Sequence, residues 1–217
     1  MYCAWGTYYE GGTDEDYFNV LLPRILEDVV CRLAKTLPVM IGDFPSVRAG
    51  STDRSRAAVA HEICQGSESF DIFFVHADVG GRGVATTLRE RCEAFIEAAY
   101  ELCGFDRGKA VPLCPRHETE AWAISDAAAV CEALGYRGAP ASLQLPDSPQ
   151  AAERLTDPKA VLDAAIALAS NGRRRASSRI LPAIAQRQRL SQLRLMPSFQ
   201  TFEGGLLECL QQRGFLR

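Results

Sequence analysis

A chain of 217 residues, 47% hydrophobic and 24% charged with a formal net charge of -3, has the length and composition of one large domain, or of a sheet domain with a helical extension. That balance excludes a disordered acidic or basic tail, because enough apolar side chain is present to bury a core. No apolar run nears the roughly 20 residues of a membrane span and no basic start with an apolar run marks an export signal, so the expectation is a cytoplasmic protein, free of the membrane, that folds alone or as a homo-oligomer.

Tyr2 to Tyr9 is short and rich in aromatic residues, and it runs into Glu10-Gly11-Gly12, which predicts a strand ending in a tight turn. Thr13 then reads as a helix cap, with Asp14, Glu15 and Asp16 in the first turn, where negative charge suits the helix dipole. Leu21, Ile25, Leu26, Val29, Val30 and Leu33 recur at helical spacing and carry that helix to about Lys35. Leu37 to Ile41 is a second short apolar run, and Asp53 to Gln65 has a helical pattern that Gly66 ends. Phe70 to Val75 is the clearest strand, apolar almost throughout, as a strand covered on both faces must be. It opens into His76-Ala77-Asp78-Val79-Gly80-Gly81-Arg82-Gly83.

A third helix carries Leu88, Cys92, Phe95, Ile96, Ala99 and Leu102 on one face and ends at Gly104. Lys109 to Cys114 is a fourth strand, and a helix opening at His117-Glu118-Thr119-Glu120-Ala121-Trp122 runs to about Leu134. Strands alternating with helices in this way predict an α/β fold over residues 1–136: a mainly parallel sheet of about four strands with helices on both faces. Residues 137–217 read as an irregular connection and then a C-terminal helical extension of three or four helices from Asp157, packed on the sheet unit, the last running from about Ser198 to Gly214.

The eight cysteines include no C-x-x-C pair and no short-spaced Cys/His cluster, which excludes a zinc finger and predicts reduced thiols that serve mainly as small core residues. Ligands of open α/β sheets bind outside the carboxyl ends of the strands. Three groups hold such positions: Glu10, His76 with Asp78, and Glu118 with Glu120. Carboxylates gathered there repel one another unless a cation lies between them, and oxygen ligands suit Mg²⁺ or Mn²⁺. Glu118 and Glu120, two apart on one helix, point to different sides, and Glu120 is the better candidate for the pocket. Gly80, Gly81 and Gly83 leave room for backbone amides to approach a phosphate, although no P-loop or dinucleotide fingerprint is present. From Asn171 to Arg194 the chain carries seven arginines and no acid, among them Arg173, Arg174, Arg175 and Arg179; they read either as a phosphate-binding surface or as a solvated helical face.

Tyr9-Glu10-Gly11-Gly12-Thr13-Asp14 after a first strand resembles the E-G-x-x-D signature of Toprim domains, and His76-Ala77-Asp78-Val79-Gly80-Gly81 stands where those domains carry D-x-D-x-x-G. The stretches around His117 to Trp122, Asp157-Pro158-Lys159 and Pro197-Ser198-Phe199 resemble one bacterial Toprim-like branch of unassigned function. The resemblance implies a metal-dependent nuclease or related phosphoryl-transfer enzyme, in a bacterial defence setting beside a partner ATPase. It makes Glu10 a general base or metal ligand and Asp78 a metal ligand. His76 replaces the first aspartate and brings no negative charge, which favours one metal over two, with Glu118 or Glu120 to supply the missing carboxylate. The opposing reading keeps the scaffold as a binding or regulatory subunit that has lost catalysis through that histidine. Glu10 as a helix cap and His76 as a hydrogen-bonded strand-end histidine are the plain structural alternatives.

Overall fold

The aromatic start of the chain forms two short strands instead of one. β1 (Tyr2–Cys3) and β2 (Trp5–Tyr9) are separated at Ala4, whose amide donates to Asp71 Oδ2 at 2.7 Å, so the chain steps from one sheet to another. The computed structural model describes residues 1–34, 39–42, 47–48, 55–65, 69–80, 83–170 and 177–217. After β2 come α1 (Gly12–Leu33), β3 (Met40–Ile41), β4 (Val47–Arg48), α2 (Arg56–Cys64) and β5 (Ile72–His76). Next are α3 (Val84–Thr87), which runs through a π-helical turn (Leu88–Glu93) into α4 (Ala94–Cys103), and then β6 (Ala110–Leu113). The remainder is helical: α5 (Thr119–Ala123), α6 (Ala127–Leu134), α7 (Pro149–Ala152), α8 (Pro158–Ala169), α9 (Ser177–Arg187), α10 (Leu190–Leu193) and α11 (Pro197–Gln212).

Among the described residues, β4-β2-β5-β6 make a four-stranded sheet, parallel throughout, and β1 pairs with β3 in a separate parallel ribbon. The expected α/β class, with a small parallel sheet, is therefore present. Every residue of β2 and β5 is buried, and the reason is visible in the packing. Trp5, Tyr9, Ile72 and Phe74 face one apolar cluster with α1, while Tyr8, Phe73 and Val75 face another with α2 and α4. Alternate side chains of a strand point to opposite faces, so two clusters follow from helices lying on both sides.

α1 buries Asp14, Tyr17, Phe18, Leu21, Leu22, Ile25 and Leu26 along one stripe. The C-terminal helices join the same cluster: Trp122 meets Phe199 and Phe18 edge-on with ring centroids 5.1 and 5.8 Å apart, and its indole N–H donates to Ser198 Oγ at 2.9 Å. Gln188 links three elements, accepting from the Tyr17 hydroxyl at 2.5 Å and donating to Trp122 O and Ser125 Oγ. Buried polar groups of this kind fix one register of helix on helix, because any slip leaves them unpaired.

The single helix expected from His117 to Leu134 is broken in two. Ser125 turns back to Trp122 O at 2.7 Å, and Asp126 begins α6 by accepting from Ala129 N at 3.3 Å. Asp126 also takes a bidentate contact from Arg189 at 2.7 and 2.9 Å, and Arg194 pairs with Glu203 and Asp28. Those two arginines tie helices together and so leave the basic run with less charge to offer a phosphate backbone. A second departure concerns the thiols. Cys64 and Cys103 are joined by a disulfide that links α2 to α4, against the expectation of reduced cysteines, while Cys3, Cys92, Cys114, Cys131 and Cys209 are buried and free.

Candidate metal centre

Parallel strands whose onward connections run to opposite sides leave a crevice at their carboxyl ends. β2 leads through α1 toward β4 on one side, and β5 leads through α3 and α4 to β6 on the other, so the crevice opens between β2 and β5. Glu10 follows β2, His76 ends β5, and Asp78 lies two residues beyond. The sheet thus brings residues nearly 70 positions apart to one edge: Glu10 Oε2 accepts from the Asp78 amide at 3.2 Å.

A third acid joins them from α1. Asp14, His76 and Asp78 each offer one ligand atom, and these atoms all lie within 4.8 Å of one another, the one group of its kind among the described residues. Gly11 makes this approach possible. A Cβ there would sit 2.9 Å from Asp14 Oδ2, so a side chain at position 11 would push the carboxylate away. Thr119, the first residue of α5, donates to Asp14 Oδ1 at 2.7 Å and lies 3.3 Å from His76 Nε2. Since its hydroxyl has one proton and gives it to Asp14, it faces His76 as an acceptor. Phe18 and Tyr9 wall the imidazole, with ring centroids 5.2 and 6.3 Å away.

The electrostatics follow from this crowding. Burial holds the Asp14 carboxyl above its ordinary value, with His76 opposing and Asp78 adding to the shift. Burial would lower the His76 pKa, but Asp14 first and then Asp78 outweigh it and raise it to about 9. His76 Nε2 stands 3.5 Å from Asp78 Oδ1 and Nδ1 stands 4.0 Å from Asp14 Oδ2, both too long for good hydrogen bonds. Nδ1 and Asp78 Oδ1 are accordingly buried without a hydrogen-bond partner.

The remaining sequence candidates stand around this group. Glu10 borders it and is gripped by the Arg91 guanidinium from the π-helical turn. Glu120 is buried in α5 and outside the group; burial, aided by Glu118 and Asp14, pushes its carboxyl up to about 7. Glu118, also raised chiefly by burial, keeps one oxygen without a partner. Glycine's positive φ at Gly80 (57°) lets its amide reach His117 O at 2.9 Å, tying the two loops beyond β5 and β6 together. His117 itself adopts a φ of 68°. Arg179 is exposed on α9, whereas Gly81, Arg173, Arg174 and Arg175 lie outside the described residues.

Compared with protein-family models, curated proteins and solved structures, the chain shows no match.

Asp14, Thr119 and Arg91 were not among the residues singled out for chemistry. The signal for Asp14 was present: it precedes Tyr17 and Phe18 by three and four positions, so it shares the apolar stripe of α1. Thr119 and Arg91 carry no such pattern and become visible only when the loops meet. No helix among the described residues is long and apolar enough to cross a membrane.

Proposed function

We propose that this chain is a divalent-metal-dependent phosphodiester hydrolase acting on nucleic acid, with Asp14, His76 and Asp78 as the ligand set. The observation that carries the reading is that group at the crevice, with two of its buried polar atoms lacking partners. Ligand atoms within 4.8 Å of one another would need only small side-chain rotations to meet at one divalent cation. Two carboxylates balance a dipositive charge, and an imidazole nitrogen in the set suits Mn²⁺ better than Mg²⁺. A bound ion would polarise a phosphoryl oxygen and lower the pKa of a water.

The chain's own groups divide the remaining work. Asp78, whose side chain is 32% exposed, opens the centre to substrate, while wholly buried Thr119 holds the Asp14 ligand in place through its hydroxyl. Arg179, exposed on α9, offers positive charge to phosphates, whereas Arg91 is already engaged by Glu10 and has less to offer. A partner ATPase in a defence setting belongs to the same proposal and rests on the Toprim resemblance alone.

The test is Mn²⁺ binding by calorimetry, together with cleavage of plasmid and RNA. Wild-type protein binds one ion and cleaves, and Asp14→Ala and Asp78→Ala abolish both without lowering the melting temperature. Absence of binding by Mg²⁺, Mn²⁺ and other divalent ions would remove the proposal. The second reading is a binding subunit on this scaffold. It is favoured by the engagement of Glu10 with Arg91 and by the burial of His76, which leave neither open to water as a base. Ion binding without cleavage of any polymer selects it.

A further inference from the structure

Two thiols that take no part in the proposed hydrolysis meet behind the metal centre. Cys92 in the π-helical turn and Cys114 just beyond β6 are buried, with their sulfurs 3.1 Å apart. The pair spans elements 22 residues apart in sequence, so the fold and not local chain geometry brings the thiols together. Cys92 Sγ also lies 3.5 Å from Val75 O, which fixes it against β5.

The separation discriminates between two uses of paired thiols. Two thiolates on one tetrahedral zinc stand about 3.8 Å apart, wider than this pair. Moreover, neither cysteine belongs to a group of three or more metal-ligating residues among the described ones. A disulfide needs the sulfurs at about 2.05 Å, a closure of roughly 1 Å that side-chain rotation supplies. We propose that Cys92 and Cys114 are a redox-active dithiol, closed to a disulfide by a hydroperoxide and reopened by a low-molecular-weight thiol.

The chemistry is balanced and its order is set by the site. Cys114, as thiolate, attacks the peroxide and becomes a sulfenic acid, releasing the other oxygen as water once protonated. The Cys92 sulfur then attacks that sulfenic sulfur, forming the S–S bond and expelling a second water, so that two thiols and one H₂O₂ give one disulfide and two waters. Cys114 is the attacking partner because it lines a cleft of about 200 Å³ with Leu88, Pro112 and Phe202, which admits a small oxidant. The contact with Cys92 holds the Cys114 thiol below its ordinary value against the effect of burial, while the same contact raises Cys92. The dithiol neighbours the metal centre through Arg91, one residue before Cys92, yet its reaction needs no metal; failure of one proposal leaves the other standing.

Full-length protein, treated with hydrogen peroxide and then denatured and alkylated with N-ethylmaleimide, tests the pair by peptide mapping. The expected result is a fall from the six free cysteines to four, with the Cys92 and Cys114 peptides linked and released by dithiothreitol. In Cys92→Ser, dimedone traps a sulfenic acid on Cys114; Cys114→Ser, checked for folding by circular dichroism, gives no link at Cys92. The proposal is overturned if both thiols remain alkylated under conditions that oxidise exposed Cys31. It is equally overturned if Cys114 passes to sulfinic acid without linking, or if either thiol links elsewhere.

Discussion

Glu120 offers the most direct test of the charge balance around the centre. Glu120 is 5% exposed, and burial, with Glu118 and Asp14 nearby, moves its pKa from 4.5 to about 7. The protonated form is the one the fold accepts, so the contribution to stability is complete below about pH 4.5 and is lost as the pH rises through 7. At 1.36 kcal/mol per pH unit the full loss is about 3 kcal/mol, of which about 1 kcal/mol is already gone at pH 5. Glu120→Gln keeps the shape and removes the titration. Because little solvent reaches the group, screening takes little from this figure. For a domain of this size, about 2 kcal/mol corresponds to roughly 4–8 °C in Tm. Thermal melts with EDTA present should therefore show the variant gaining that much on wild type between pH 5 and pH 8. A difference in Tm between the two proteins that stays constant over that range would refute the reasoning.

Three further outcomes are expected. Thr119→Val leaves Asp14 Oδ1 without its donor and should weaken Mn²⁺ binding about 10- to 100-fold, with Thr119→Ser restoring it, as calorimetry would show. Cys64→Ala/Cys103→Ala opens a loop closed over 39 residues and should lower unfolding free energy by about 4 kcal/mol in urea titration, as should dithiothreitol on wild type. Asp126→Ala removes both the start of α6 and the bidentate partner of Arg189, and should cost about 2–4 kcal/mol by the same titration; a loss below about 0.5 kcal/mol would show that the pair does not hold α9 and α10 in place.

Much of the sheet was legible because its strands obey one physical rule. A strand covered on both faces has no polar side to display, and Phe70 to Val75 shows this in the sequence as plainly as β5 does in the fold. The split of Tyr2 to Tyr9 was not legible, since it depends on Asp71 reaching Ala4 from 67 residues away. The break between α5 and α6 has a local signal in Ser125-Asp126, but the apolar run through Ile124, Ala127 and Val130 reads as one continuous helical stripe. Nothing in the thiol spacing distinguishes Cys64 and Cys103, or Cys92 and Cys114, from the other cysteines, because the pairing of α2 with α4 and of the π-helical turn with β6 is set by the sheet order.

The site was half legible for a related reason. Strand ends can be found from hydrophobic patterns, so Glu10, His76 and Asp78 could be placed at one edge before any contact was known. Asp14 was read as a helix-start acid and as the last residue of the E-G-x-x-D resemblance, with no ligand role, since three acids in a row at positions 14 to 16 look like a response to the helix dipole. Its position on the stripe with Tyr17, Phe18 and Leu21 carries the contrary information: a charge on an apolar face is costly unless something meets it. Here Thr119 and the imidazole of His76 meet it, and both sit where they do because β5 lies beside β2 and α5 caps the crevice. Under the proposed metal centre, a histidine at position 76 has a physical reading: with Asp14 supplying a second carboxylate from the helix, an aspartate at position 76 would gather three carboxylates around one dipositive ion, and a nitrogen ligand would relieve that excess.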